Sequence, residues 1–356
     1  MTNPFKFGAV VDNDFFTDRE KELEEATQII NSNNHLILIS LRRFGKTSLI
    51  NKATNALNRP IINLDLQLVV DVADFATQLL KRVLKISKWE NIKHFLTKFR
   101  IVPKIELNPL NNNLEVSFQP SMNNDFTTLE DVLNLIEKIG EKGKKPIVVL
   151  DEFQEIVYLS KTLPKQLRAV IQHHKNVNYV FLGSLESMMK SIFEDKKSPF
   201  YHFGYLMTLG KIPYNDFFNY LKVRFENITD KSEIVATQIL EFTKQHPYYT
   251  QQLAFYCWQF LAKNKYRKEM FNDVINSIIA IHDIDYERLW NTMKKTDKKI
   301  LISLVQQEKV AIATQPTSTI YSGLKRLLIQ GYVIKTEQYE LEDPFFKKWI
   351  ICRRNE

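Results

Sequence analysis

One stretch, residues 36–50 with the sequence LILISLRRFGKTSLI, constrains the fold of this chain more than any other. Its four apolar residues, 36–39, predict a buried strand. A polar, basic loop follows, and the run GKTS then opens a segment whose apolar residues recur at helical spacing. Strand, loop and helix in this order are the context of a phosphate-binding loop, because loop amides and a helix N-terminus both present positive dipoles. The stretch therefore predicts a P-loop.

The side chains of the predicted loop have expected roles. Lys46 would contact the β- and γ-phosphates of a nucleotide, and the Thr47 hydroxyl would bind Mg²⁺. The first position of the pattern G-x-x-x-x-G-K-[ST] is Ser40 instead of glycine, which reduces the conformational freedom there but keeps the side chain small. The candidate nucleotide-binding residues of the loop are Ser40, Arg42, Arg43, Phe44, Gly45, Lys46, Thr47 and Ser48.

A second motif follows further along the chain. Residues 147–150, IVVL, predict another buried strand, and Asp151 and Glu152 come directly after it. The first acid would hold Mg²⁺ at the carboxyl end of a central strand, and the second could accept the proton of an attacking water. Two surface acids after a buried strand would be the plain alternative. The strands and helices that alternate between the two motifs favour a nucleotide-binding α/β domain.

A further apolar run, residues 178–182, predicts a strand that ends in Gly183 and Ser184. Because the carboxyl ends of parallel strands meet at one edge, Ser184 would lie beside the two acids and orient a γ-phosphate or a water. Alternatively, its hydroxyl only caps the helix that begins near Glu186. Both interpretations remain open at the level of sequence.

The predicted elements divide the chain into three parts. Residues 1–213 alternate strands and helices, with an antiparallel hairpin inserted at about 98–120, and form an α/β P-loop ATPase domain. Residues 214–292 contain only helical patterns and predict a helical lid domain. Residues 293–356 show two helices and then an alternating two-strand hairpin, which is the plan of a winged helix.

The predicted winged helix carries few basic residues. Lys325 and Arg326 lie on its second helix and Lys335 on the hairpin, and several acidic residues are close in sequence. Contact with DNA is one interpretation of this segment. The other is that the segment packs against the rest of the chain or binds a protein.

Composition narrows the class of protein. A net charge of +8 permits contact with a polyanion, but the basic residues are scattered among acids, so a solvated lysine-rich surface explains it as well. The only cysteines are Cys257 and Cys352, which argues against a disulfide scaffold and suits a reducing cytosol. The N-terminus does not resemble a signal peptide, and no apolar run approaches the ~20 residues that span a bilayer. We expect a cytoplasmic protein without membrane contact.

Six short motifs resemble those of one known family. They are FTDREKEL at 16–23, RRFGKTSL at 42–49, DEFQE at 151–155, LGS at 182–184, HPYY at 246–249 and DPFF at 343–346. With them the sequence is similar to the STAND-type P-loop ATPases of the archaeal-ATPase group, AAA+-related proteins that are also abundant in bacteria. The resemblance covers nearly the whole chain.

The resemblance implies an α/β, parallel-sheet core of the ASCE, AAA+-like class with a helical lid and a C-terminal winged helix. It implies that ATP or ADP binds with Mg²⁺ between core and lid, and that the nucleotide state moves the winged helix. Pro247 would approach the base or ribose. Arg19 would hold the N-terminal segment near the adenine, or alternatively form a salt bridge within its own helix.

The sequence also departs from the family pattern. Gln245 stands where the lid motif usually carries glycine, and His202-Phe203 stands where the family usually has Gly-Arg. If that arginine serves the γ-phosphate, hydrolysis should be slow, unless Arg42, Arg43 or Arg168 takes its place.

We therefore expect a Mg²⁺-dependent ATPase of weak activity that acts as a conformational switch. Lys46, Glu152 and Ser184 are the candidate catalytic residues, and Thr47 and Asp151 the candidate metal ligands. The alternatives are a nucleotide-binding scaffold that does not hydrolyse, and an ATP-gated DNA-binding protein. A protein partner or self-association is compatible with each of the three.

Overall fold

The computed structural model describes residues 2–8, 19–87, 89–107, 114–118, 125–184, 186–306, 317–335 and 338–355. Its contacts divide the chain into two compact units. The sheet unit comprises Arg19–Leu41 and Lys46–Gly210. The C-terminal unit comprises Met1–Asp18, Arg42–Gly45 and Lys211–Glu356, so the tip of the predicted P-loop groups with it.

The sheet unit alternates strands and helices, as the sequence predicted. In chain order its elements are α1 (Glu20–Asn31), β1 (Leu36–Ser40), α2 (Lys46–Asn55), β2 (Ile61–Asp65), α3 (Val72–Ile86), α4 (Trp89–Leu96), β3 (Lys104–Leu107), β4 (Leu114–Ser117), α5 (Asp125–Lys142), β5 (Ile147–Asp151), α6 (Ile156–Leu159), α7 (Leu163–Ile171), β6 (Asn178–Gly183), α8 (Glu186–Phe193) and β7 (Tyr205–Leu209). Five strands form a sheet in the order β2-β5-β6-β1-β7, and every pair is parallel. The α/β, P-loop-type fold class is confirmed.

The position of the sheet within the unit explains its sequence. All five residues of β1 and all six of β6 are buried, because helices cover both faces of a parallel sheet. Pairing of Ile39 with Gly183 and of Leu150 with Phe181 brings the carboxyl ends of β1, β6 and β5 to one edge. The loops that follow these three strands therefore meet at that edge.

Two antiparallel strands lie within the segment where the inserted hairpin was predicted, and they begin later than residue 98. Strands β3 and β4 pair antiparallel from Lys104↔Ser117 to Leu107↔Leu114. The predicted turn, residues 109–113, lies outside the described residues. Helices α4, α6 and α7 were not predicted; α6 is only four residues long, too short to show a helical period.

Gly140, a residue type that commonly marks the end of a helix, lies inside α5, which continues to Lys142. A Cβ added at Gly140 would lie 2.1 Å from the backbone oxygen of Asn176. Glycine is therefore required by the close approach of the loop before β6, and not by a helix end.

The C-terminal unit is largely helical. Its elements are α9 (Tyr214–Phe225), α10 (Ser232–Thr243), α11 (Pro247–Leu261), α12 (Met270–Thr292), α13 (Lys295–Gln306), α14 (Thr317–Ile329), β8 (Val333–Lys335), β9 (Tyr339–Leu341) and α15 (Pro344–Asn355). Strands β8 and β9 form an antiparallel hairpin. The change from alternating elements to helices near residue 214 was predicted; the division of this unit into a lid (214–292) and a winged helix (293–356) stays a prediction.

The N-terminal segment contributes to the core of the C-terminal unit. Phe5 is buried, with its ring centroid 5.0 Å from that of Phe225 and 6.1 Å from that of Trp258. Aromatic pairs at these separations stabilise a core beyond the area they bury. Among the described residues, no helix has the length and apolar character needed to cross a bilayer.

Candidate functional site

The predicted P-loop connects β1 to α2. Ser40 is the last residue of β1, where it pairs with Leu209 in extended backbone, so the position does not need the freedom of glycine. The left-handed turn occurs further on, at Arg43 with φ 61° and Gly45 with φ 89°. The substitution at Ser40 therefore leaves the path of the loop intact.

Five side chains predicted to act on a nucleotide lie together at the carboxyl edge of the sheet. Lys46 begins α2 and is 6% exposed, and its Nζ lies 4.0 Å from Oε1 of Glu152. The Thr47 hydroxyl donates to Oδ2 of Asp151 at 2.8 Å. The Ser184 hydroxyl donates to Oε2 of Glu152 at 2.6 Å. The sheet thus brings together one ammonium, two carboxylates and two hydroxyls.

The two acids differ in their surroundings. Burial raises the pKa of Asp151, although the Thr47 hydrogen bond and the Lys46 ammonium act in the opposite direction. Glu152 has left-handed backbone, φ 48°, which is rare for a residue with a side chain and is found preferentially at functional sites. This conformation directs the chain into a 3-10 turn, residues Phe153–Glu155, immediately after the strand.

Gln154 is a member of this group that the sequence analysis did not identify. It is 2% exposed and its amide donates to Oε2 of Glu152, so that oxygen accepts from both Gln154 and Ser184. Its own Oε1 has no hydrogen-bond partner among the described residues. A buried glutamine two residues after the acids was visible in the motif DEFQE, but nothing in the sequence indicated which way it pointed.

The donor set fits a magnesium ion. Thr47 and Asp151 present a hydroxyl and a carboxylate oxygen 2.8 Å apart, and both are oxygen ligands of the kind that Mg²⁺ prefers. No other carboxylate accepts from Thr47 within the described part of the chain.

The remaining predicted P-loop residues differ in their burial. Ser48 is buried in the first turn of α2, and Arg42 is exposed. Phe44 is 2% exposed, and its ring lies edge-on to the His246 ring at 4.9 Å. Phe44 thus packs within the C-terminal unit.

Arg43 belongs to a polar chain in the C-terminal unit. Its guanidinium lies 4.5 Å from the ring centroid of Tyr248 and donates to the Tyr249 hydroxyl at 3.3 Å. Tyr249 donates in turn to Oε2 of Glu342 at 2.7 Å, and Nε2 of His246 lies 3.1 Å from Oε1 of the same carboxylate. Glu342 directly precedes the motif DPFF in the sequence, but it was not predicted to take part in a site.

Two predicted nucleotide residues lie outside these groups. Arg19 is buried, donates to the Gly210 carbonyl at 2.8 Å and pairs with Glu22 at 3.2 Å, so the predicted salt bridge within its own helix is present. Residues 16–18 of the same motif lie outside the described residues. Pro247 is the first residue of α11, and its contact with a base stays a prediction.

Arg168 contacts the residue that stands where the resembling family usually has arginine. Its guanidinium lies 4.2 Å from the ring centroid of Phe203, whose ring is 4.7 Å from that of His35. His35 directly precedes β1, at the opposite end of that strand from the P-loop. Phe203 therefore lies close to the same end of β1 as His35, and whether Arg168 substitutes for the family's arginine stays a prediction.

Two of the three basic residues on α14 and β8 contact other side chains. Arg326 forms a bidentate ion pair with Asp297, which is 3% exposed. Lys335 lies 5.6 Å from the Tyr339 ring centroid. Of the three cations considered for DNA contact, Lys325 and Lys335 are exposed and form no ion pair within the part of the chain that the structure describes, whereas Arg326 is paired.

Comparison with solved structures identifies the same fold elsewhere. The Walker-type ATPase PABY2304 of Pyrococcus abyssi is similar with a TM-score of 0.66 and 16% identity, over 95% of this chain and 97% of that chain. The ORC2 protein of Aeropyrum pernix, in ADPNP-ADP complexes, is similar with a TM-score of 0.55 and 13% identity, over 99% of both chains. At such identities the likeness concerns the fold alone.

Comparison of sequences adds the family. No curated protein matches the chain. The profile of a family described as an ATPase domain predominantly from Archaea matches residues 16–253, about two thirds of the sequence. With its AAA+-like P-loop fold, this chain therefore belongs to that family of ATPase domains.

Proposed function

We propose that this protein is a Mg²⁺-dependent ATPase that works as a conformational switch of the STAND type. The observation that carries the proposal is the convergence of Lys46, Thr47, Asp151, Glu152 and Ser184 at one edge of the sheet. These residues supply the charge, metal ligands and base that phosphoryl transfer requires, and in the expected relative positions.

Each residue has a distinct role in this proposal. Lys46 holds the β- and γ-phosphates, and the positive end of α2 adds to its field. Thr47 and Asp151 would hold Mg²⁺, which would supply positive charge to neutralise the phosphates. Glu152 accepts the proton of the attacking water, and Ser184 with Gln154 fixes the orientation of its carboxylate. Catalysis would result from positioning and electrostatics.

The polar chain from Arg43 to Glu342 supports the switch. Arg43 is three residues from Lys46 in sequence, and its guanidinium binds Tyr249, which binds Glu342 next to β9. A phosphate loop that rearranges around a nucleotide must therefore move Arg43 with these contacts or break them. In either case a change in the loop alters the contacts of Glu342, which lies within residues 293–356, the proposed winged helix of the switch.

The hydrolysis proposal is tested by phosphate release from the full chain. Glu152→Gln should reduce the rate by roughly 10²–10⁴-fold, as loss of a general base does, while ATP binding is retained. Lys46→Ala should abolish both ATP binding and phosphate release. Glu24→Gln is the matched control, because Glu24 is exposed on α1 and its bond with Gln28 survives the change.

Two results would change the proposal. Equal turnover in Glu152→Gln and the parent would reject Glu152 as the base. ATP binding without phosphate release by the parent would favour the non-hydrolysing scaffold.

The proposed switch would act in the cytoplasm, where Cys257, buried in α11, stays a thiol. Contact with DNA is a weaker proposal than a protein partner or self-association, because Arg326 is paired with a buried aspartate. A hydrogen-exchange comparison of residues 339–349 between the ATP- and ADP-bound protein tests the switch; identical protection in both states would contradict it.

A further inference from the structure

The C-terminal unit contains a cavity that the nucleotide chemistry does not use. Its volume is about 250 Å³, slightly below the ~300–1,000 Å³ of pockets that hold drug-sized molecules. Its walls come from the end of α10, from the β8–β9 hairpin and from α15. The size restricts an occupant to a small molecule.

Much of the wall is apolar. Phe242, Ile334, Leu341, Pro344 and Ile351 line the cavity, and Ile334 and Leu341 are buried. Removal of an apolar ring from water into such a lining is favourable in proportion to the area covered. The occupant therefore has an apolar body.

The charged groups of the wall leave an excess of positive charge. Glu340 is compensated by Lys211 and Lys244, both of which form ion pairs with it. Glu342 accepts from Tyr249 and lies beside His246. The wall contains four lysines and three glutamates in total, and the third, Glu241, is exposed.

Lys347 and Lys348 provide the uncompensated charge. Among the described residues, neither has a carboxylate within ion-pair distance of its ammonium, and both are half-buried. Burial lowers the pKa of Lys347 and the nearby Lys244 lowers it further, whereas Glu340 acts in the opposite direction. An anion in the cavity would favour the charged form of Lys347 and so offset the lowering.

His246 supplies a second and independent indication of a ligand. It lines the cavity and is 2% exposed, yet its Nδ1 has no hydrogen-bond partner within the described part of the chain. Its Nε2 lies 3.1 Å from Glu342, but not in hydrogen-bond geometry. A buried polar atom without a partner is costly unless something else satisfies it.

We propose that this cavity is a binding site for a small organic anion, with an aromatic body against Phe242 and Leu341 and an acidic group that pairs with Lys347 and Lys348. His246 contributes a hydrogen bond to the polar part of the ligand. None of the residues that line the cavity is assigned above to phosphate binding or hydrolysis, although Glu342 and His246 also belong to the group of contacts around Arg43.

The probe is 2-naphthoate, and its neutral counterpart 2-naphthamide is the matched ligand control. Both are titrated by calorimetry into the full-length Lys46→Ala protein, so that the P-loop lysine cannot bind the carboxylate. We expect saturable binding of 2-naphthoate with a Kd on the order of 1 mM or tighter, and binding of the amide at least about tenfold weaker. Nucleotide binding by the parent is measured separately, so the two proposals can fail independently.

Variants locate the site. Lys347→Gln combined with Lys348→Gln should weaken 2-naphthoate binding at least about tenfold, and Lys→Arg changes at both positions should keep it. Lys325→Gln, an exposed lysine away from the cavity, should leave the affinity within about twofold. The proposal is overturned if 2-naphthoate shows no saturable binding up to about 10 mM. Equal affinity for acid and amide, or unchanged affinity in the double Lys→Gln variant, would overturn it too.

Discussion

The hydroxyl of Tyr249 joins the loop tip to Glu342, and its removal should destabilise the C-terminal unit. Tyr249→Phe deletes one hydrogen bond to a carboxylate at 2.7 Å and one from Arg43 at 3.3 Å. Hydrogen bonds to charged groups contribute about 1.5–3 kcal/mol each, and the longer contact adds less. The Glu342 side chain is only 11% exposed, so water cannot fully replace the lost donor. We expect a loss of about 1.5–3 kcal/mol in the free energy of unfolding.

Tyr248→Phe is the matched control. Tyr248 precedes Tyr249 on α11 and contacts Arg43 through its ring, which the substitution keeps. Its hydroxyl makes no hydrogen bond within the described residues, so the change should cost less than about 0.5 kcal/mol. The pair of variants separates a specific hydrogen bond from the general effect of removing a hydroxyl.

Urea unfolding of the full chain, followed by tryptophan fluorescence, measures the difference. Three of the four tryptophans, Trp258, Trp290 and Trp349, lie in the C-terminal unit, so the signal reports mainly on it. A double-mutant cycle with Glu342→Gln isolates the pairwise term and should give a coupling of at least about 1 kcal/mol. Indistinguishable midpoints for Tyr249→Phe and Tyr248→Phe would refute the reasoning.

Three further predictions concern other parts of the chain. A Gly→Ala change normally stabilises a helix by about 1 kcal/mol, but Gly140→Ala should destabilise the protein by about 1–3 kcal/mol, because the new Cβ would lie 2.1 Å from a backbone oxygen. Gly143→Ala is the control, since its Cβ would lie 3.7 Å from the nearest atom, and it should leave the melting temperature nearly unchanged. The raised pKa of Asp151 means that its ionised form costs folding energy above that pKa, so Asp151→Asn should stabilise the nucleotide-free protein at neutral pH. In a melting-temperature series this gain should vanish as the pH falls towards the ordinary aspartate pKa of about 3.9; a gain that does not depend on pH would contradict it. Arg326→Gln should cost about 3–5 kcal/mol, because it leaves Asp297 buried without a partner; a melting temperature equal to that of the parent would show that the pair contributes nothing.

The parts of the fold that follow from local pattern could be predicted from the sequence. Residues 36–39 and 147–150 are continuous apolar runs, and both lie in strands of the central sheet. A strand that is covered on both faces is apolar throughout, so such a run predicts it. Lys46 and Asp151 could be placed together for the same reason, since both follow strands of one parallel sheet.

Other features depend on contacts between distant residues and could not be predicted. Gly140 carries the usual sign of a helix end, and only the position of Asn176 shows why it is a glycine. The side-chain directions of Gln154 and Glu342 are set by tertiary packing, which no local pattern records. Sequence reasoning therefore found the ends of the strands but missed the hydrogen-bond partners of Glu152 and the contacts of Arg43.

Two departures from the family pattern have a simple structural consequence. Gln245, with φ 57°, and His202, with φ 52°, both have left-handed backbone where the resembling family usually carries glycine. The left-handed region costs a residue with a side chain about 1–2 kcal/mol. Both positions thus have the backbone conformation that glycine favours, although neither carries glycine. The loss of glycine therefore does not by itself indicate a changed fold.

The central claim is that Lys46, Thr47 and Asp151 together hold a magnesium nucleotide. Isothermal titration calorimetry with Mg·ATP and Mg·ADP tests it most directly, on the parent and on Lys46→Ala. We predict a saturable binding heat for the parent and a marked loss of its affinity when Mg²⁺ is chelated. For Lys46→Ala we predict no binding heat. No heat from the parent at millimolar nucleotide, or the same binding by Lys46→Ala, would contradict the claim.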